Sequence, residues 1–185
     1  MTIFPTKNYL PNLSHLSPDR LLVRFHDSLT GDRGRQYQDR ALMTNLARLV
    51  DRAIALYISG SSYIDEWLAA QPSTNVTGFF RAVSTFEQCV TCTHRASLHA
   101  GELAKRGIID PSLLKIDPRI KEIRDAMEHF DDRILGRRQP PVQFGDPTFL
   151  APADNGLVLG KHVLPYSGLA DTLTSLHDAV GKPIG

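Results

Sequence analysis

Residues 117–136, DPRIKEIRDAMEHFDDRILG, spell out a complete helix from cap to stop. Asp117 supplies an N-cap carboxylate. Pro118 suits the first helical position, where its missing N–H would have had no intrahelical partner. Gly136 ends the run in a left-handed conformation that costs glycine little. Between them Ile120, Ile123, Met127, Phe130 and Ile134 recur at three- and four-residue steps and form one apolar seam. A single seam has to be buried against neighbours, and the flanking sequence supplies them.

Upstream, Asn75 to Arg106 reads as one long helix with a stripe of Phe79, Val83, Phe86, Cys89 or Val90, Thr93, Ala96, Ala100 and Leu103, closed by Gly107. At about 1.5 Å per residue it is long for a small domain, so a kink or break near Gly78 or Gly101 is expected. Before it, Asp39 to Ile58 carries Leu42, Leu46, Leu49, Ala53 and Leu56 on one face, and Gly60-Ser-Ser and Pro72 bracket a smaller helix containing Trp67. A short helix starts at Pro18 with Ser17 as cap and Leu21, Leu22 and Phe25 on one side, until Gly31-Asp-Arg-Gly34 interrupts it. The mixed charges of Asp32 to Arg40 suit an exposed loop, and the proline-containing residues 1–17 suit an irregular arm lying over the body.

Downstream, Pro140 to Leu164 is rich in Pro and Gly, with β-prone runs Val142–Phe144 and Leu157–Leu164 around Asp154-Asn-Gly156. The pattern predicts a small β-hairpin or flap over 140–166. A last helix, Ser167 to Val180, carries Leu169, Leu173, Leu176 and Val180 and stops at Gly181 and Pro183. Short loops between long amphipathic helices make neighbours antiparallel. The expected fold is therefore all-α: one domain over 1–185, an up-down helical bundle of four to five helices with the hairpin inserted before the last.

At 42% hydrophobic and 22% charged the chain has material for a real core, and its formal net charge of +1 excludes a strongly basic protein of the histone kind. Nothing approaches the roughly 18 consecutive apolar residues of a membrane span. Two cysteines and no visible export signal make the cytoplasm the expected compartment.

The helix at 117–136 also has a polar side, where Asp125, Glu128, His129 and Asp132 gather and Arg124 flanks the seam. Arg124 can reach Glu128, and Asp125 can reach His129, at i,i+4 spacing. A carboxylate beside an imidazole fixes its orientation and suits it to acid–base work near neutral pH.

Arg124-Asp125-x-x-x-His129, on a late helix of a small bundle, resembles the Arg-polar-x-x-x-His motif of HEPN domains. That family includes metal-independent RNA endonucleases, many of them toxins of toxin–antitoxin pairs, and members that bind nucleotides or serve only as scaffolds. The resemblance implies a homodimer whose two motifs meet in one composite site, with RNA or a nucleotide as ligand and an antitoxin-like protein as a further partner. It implies that His129 activates a ribose 2′-hydroxyl, that Arg124 holds the adjacent phosphate, and that Asp125 and Glu128 orient them, with no metal or cofactor. Asp125 stands where many such enzymes carry asparagine. Beside this reading stand a non-catalytic helical scaffold or ligand-binding protein, and an enzyme with a site between helices in the bundle core.

Cys89-Val-Thr-Cys92 lacks the preceding strand of a redox motif and the second pair of a zinc site, so core packing is the expected role. His94-Arg95, His99, Arg81 and Lys105-Arg106 make the long helix mildly basic, as a solvated face or as a track for phosphates. Arg133, Arg137 and Arg138 cluster near a helix C-terminus, where the dipole favours cations. Tyr63 and Trp67 are expected to be packing aromatics. No Walker A loop, Gly-x-Gly-x-x-Gly, His-Glu-x-x-His or Gly-x-Ser-x-Gly occurs.

Overall fold

Two long antiparallel helices form the body of the structure, a computed structural model that describes residues 5–16, 37–70, 76–137 and 149–181. The first, α1, spans Tyr37–Ala69 and the second, α2, spans Val76–Lys105. Their register is antiparallel, because Asp39 pairs with Arg106, Asn45 with His99 and Arg52 with Gln88. The expected helix at Pro18, the loop residues 32–36, the run Val142–Phe144, Arg138 and Pro183 lie outside the described residues.

The sequence pattern divides 39–70 into two helices, but the structure makes one. α1 runs straight through Gly60-Ser-Ser. Gly60 is buried, and a Cβ built on it would stand 2.8 Å from Phe86 Cζ. The glycine is thus a point of close helix–helix approach and not a break. α2 is likewise continuous through Gly78 and Gly101, without a break at either. Both Gly107 (φ +69°) and Gly136 (φ +68°) act as the predicted stops. In each the glycine N–H and the next N–H donate back to the last turn: Gly107 to Ala104 and Ile108 to Leu103, both at 3.0 Å, then Gly136 to Arg133 at 3.2 Å and Arg137 to Asp132 at 2.8 Å.

A short 3₁₀ turn, Pro111–Leu113, leads to α3 (Arg119–Glu128) and α4 (Phe130–Ile134). Regular helix begins at Arg119, but Asp117 does the capping: its Oδ1 accepts the Arg119 N–H at 2.9 Å and its carbonyl that of Ile120 at 3.1 Å. The seam buries Ile120, Ile123 and Phe130, whereas Ile134 is 54% exposed.

The expected hairpin is a three-stranded antiparallel sheet in the order β1 (Ala151–Ala153), β2 (Gly156–Leu159), β3 (His162–Pro165). It is not a flap over the body. Every residue of β1 and β2 is buried, and Leu150, Leu157, Leu159 and Leu164 join the main core with α5 (Tyr166–Gly181). Gly156 permits this packing, since a Cβ there would overlap the Leu164 carbonyl across the pair. The protein is mainly helical, with five α-helices among the described residues and the sheet placed before the last.

Residues 5–16 carry no helix or strand. They cross the body by burying Leu13 and Leu16, by Thr6 N–H donating to Asp154 Oδ1 at 2.5 Å, and by Asn8 Nδ2 donating to Asp65 Oδ1 at 2.9 Å.

Candidate functional site

α3 turns its apolar seam inward and presents Lys121, Arg124, Asp125 and Glu128 on its outer side. Arg124 grips Glu128 with both terminal guanidinium nitrogens, the expected i,i+4 pair in a two-pronged form. Its Nη1 also lies 3.7 Å from Asp125 Oδ1. All four side chains reach solvent.

The expected pairing of Asp125 with His129 is replaced. Lys121 Nζ donates to Asp125 Oδ2 at 2.5 Å, and this hydrogen bond above all holds the Asp125 carboxyl below its ordinary range. Among the described residues the carboxylate in reach of His129 is that of Asp132, whose Oδ2 is 3.9 Å from Nδ1. The cause is the competing ammonium one turn before Asp125. His129 does not continue the helix but sits between α3 and α4 at φ −102°, ψ 11°, in the sparsely occupied bridge region where many active-site residues are found. Its N–H still donates to the Asp125 carbonyl at 3.2 Å, so the backbone turn is kept while the carboxylate goes to Lys121. The imidazole keeps 41% of its surface exposed, so its ring is open to solvent beside Asp132.

A second imidazole faces the same charged row. His94, half-buried on α2, lies where α3 docks against that helix. Burial and then the Arg124 guanidinium push it below its ordinary value, helped by Lys121 and opposed by Asp125 and Glu128. A histidine in that state is a neutral base at pH 7. The motif reading on 117–136 misses it. The signal was present only as position: His94 follows the buried stripe residue Thr93, so it stands at the stripe's edge, but which helix packs on that edge is a tertiary fact.

The remaining candidates separate cleanly. Cys89 is fully buried, its thiol donating to the Ala53 carbonyl at 3.3 Å, and burial pushes it up to about 12; Cys92 is also buried and raised. Both are packing residues, and among the described residues no group of three or more His, Cys, Asp or Glu side chains converges as a metal requires. Arg106 is spent on Asp39 at 2.7 Å and Glu102 at 3.0 Å. Arg133 lies against the β2–β3 turn, 3.3 Å from where a Cβ on Gly160 would be. Trp67 is buried against Phe79, with ring centroids 5.6 Å apart, as packing predicts; Tyr63 is only half-buried. No helix among the described residues is long and apolar enough to cross a membrane.

Set against known proteins, the chain matches no family model, no curated protein and no solved structure.

Proposed function

We propose that this chain is a HEPN-like RNA-binding protein that cleaves RNA without a metal, two copies meeting to complete one site around the α3 face. One observation carries the reading: α3 brings a solvent-reachable guanidinium, Arg124, within electrostatic reach of one imidazole, His94, and ends on a second, His129, that is 41% exposed.

The chemistry needs little else. His129 takes the proton of a ribose 2′-hydroxyl, the oxygen attacks the adjacent phosphorus, and the bond to the 5′-oxygen breaks. The other copy's His129, entering in its protonated form, gives its proton to the leaving oxygen. The products are a 2′,3′-cyclic phosphate and a 5′-hydroxyl. Arg124 balances the charge that grows on the phosphoryl oxygens. Its grip on Glu128 is no obstacle, since an exposed pair of this kind is worth only about 0–1 kcal/mol and a phosphate can displace the carboxylate. Asp132, nearer to the ring than Asp125, serves as the orienting acid.

The test is incubation of the purified protein with RNA in EDTA. The expected outcome is cleavage leaving cyclic phosphate ends, with the rate falling by about 10²-fold or more in both His129→Ala and Arg124→Ala. Cleavage that survives either change sinks the assignment. Sizing in solution should give a dimer. An antitoxin-like protein partner and a cytoplasmic location belong to the same reading. A scaffold reading has its own support: Lys121–Asp125 and Arg124–Glu128 leave each cation on this face with an acid. No cleavage and no loss of stability in either variant would favour it.

A further inference from the structure

The edge between α1 and α2 carries a charge pattern that the α3 site does not use. α1 places Arg48 and Arg52 one turn apart, roughly 6 Å along the axis. The antiparallel register sets Arg95 of α2 beside them, and all three are exposed. Their hydrogen-bond partners are neutral: Arg48 Nε and Nη2 donate to Asn45 Oδ1 at 3.1 and 2.8 Å, and Arg52 Nη2 reaches Gln88 Oε1 at 3.4 Å. Among the described residues no carboxylate lies within ion-pairing distance of Arg48, Arg52 or Arg95, whereas Arg106, Arg119, Lys121 and Arg124 each have one. The three guanidiniums also act on one atom. Burial raises the Cys92 thiol, and Arg52, Arg48 and Arg95, in that order, pull it back. Like charges gathered without a counter-charge repel one another, and a polyanion relieves that repulsion.

The same edge ends in aromatic side chains. On α2, Arg81, Ser84, Gln88, Arg95 and His99 share one face. At its far end Tyr63 of α1, Phe80, Arg81 and Val76 line an open hollow of about 520 Å3. The Arg81 guanidinium stands 6.0 Å over the Tyr63 ring. Phe80 is 49% exposed, yet it is braced edge-on by Phe79 at 5.8 Å and Phe149 at 5.5 Å. A rigid, half-open aromatic beside a row of unpaired cations is the arrangement that holds a single strand, with phosphates on the cations and a base on the ring. Arg81 and Gln88 are about 10 Å apart along α2, the reach of one or two nucleotides in an extended strand. At the other end Arg95 stands about 100° round α2 from His94, which lies toward α3, so the edge ends within one helix width of the α3 face.

We propose that the α1–α2 edge binds single-stranded RNA, its phosphates on Arg48, Arg52 and Arg95 and a base stacked in the Tyr63–Phe80 hollow. This rests on the RNA reading above and gives that reading its substrate path. A duplex is less well served, because the edge is one row of cations wide and the hollow takes an unpaired ring.

Fluorescence anisotropy with a short labelled oligouridylate tests it. The intact protein should bind with log K falling against log salt at a slope of about −2, near −0.7 for each of three phosphates. The double variant Arg48→Gln, Arg52→Gln should bind more weakly, with a slope of about −0.7. Its urea midpoint should hold or rise, since repulsion is removed, which separates lost binding from lost fold. Phe80→Ala should weaken binding about tenfold with the slope unchanged. Unaltered affinity in the double variant overturns the proposal. So does equal binding of the deoxyuridine strand, which removes the assignment to RNA, or displacement by millimolar inorganic phosphate, which makes the edge a small-anion site. Cleavage in EDTA with an unchanged KM in the double variant sinks the edge and leaves the nuclease standing. Binding through the edge without cleavage does the reverse.

Discussion

Replacing Gly60 with alanine should destabilise the protein, although in an ordinary helix interior the same change stabilises by about 1 kcal/mol. The new methyl would lie 2.8, 2.9 and 3.1 Å from three carbons of the Phe86 ring, well inside van der Waals contact. The ring has nowhere to go: Phe86 is fully buried, with Tyr57 edge-on at 6.3 Å and Tyr166 at 6.1 Å. α1 and α2 must part or the aromatic cluster must shift, and such over-packing costs about 1–3 kcal/mol, enough to cancel or exceed the propensity gain. Gly101 is the control. It is also inside a long helix, but a Cβ there meets nothing within 4 Å, so Gly101→Ala should gain the full increment. The two variants should therefore differ by roughly 1–3 kcal/mol. Urea titration followed by circular dichroism reads this as a midpoint gap of about 0.5–1.5 M at an m-value near 2 kcal/mol/M. If Gly60→Ala unfolds at or above the midpoint of Gly101→Ala, the close approach of the two helices is wrong.

Asp117 gives a pH-dependent prediction. Its hydrogen bonds from Arg119 hold the folded carboxyl below the ordinary 3.8, so its contribution to stability is complete above that value and is lost as pH falls from there through the depressed one. Asp117→Ala should cost about 1 kcal/mol at neutral pH, chiefly the lost cap, and should flatten the acid limb of the stability curve below pH 3.8. Tyr57 is 1% exposed with a hydroxyl that has no hydrogen-bond partner among the described residues. Tyr57→Phe should leave stability unchanged or raise it by about 1 kcal/mol, and a clear loss in thermal melts would show that the hydroxyl has a partner.

What the sequence by itself determined is the part set by contacts within a few residues. The glycine stops at 107 and 136, the Asp117 cap and the stripes of α2 and α5 follow from backbone chemistry and helical period, which need no knowledge of neighbours. The Arg124–Glu128 pair belongs here too, being one turn long. What only the tertiary structure decided depends on residues far apart in the chain. Gly60 reads locally as a breaker, and only Phe86 on the opposing helix turns it into a contact. Leu157 and Leu164 read as part of a hairpin or flap, and only their burial among the helices makes them core. His94 reaches the charged face because α3 docks on that side of α2. Helical period says which residues share a face. Which face meets which is settled by packing, since many pairings bury similar apolar area and only side-chain shape separates them.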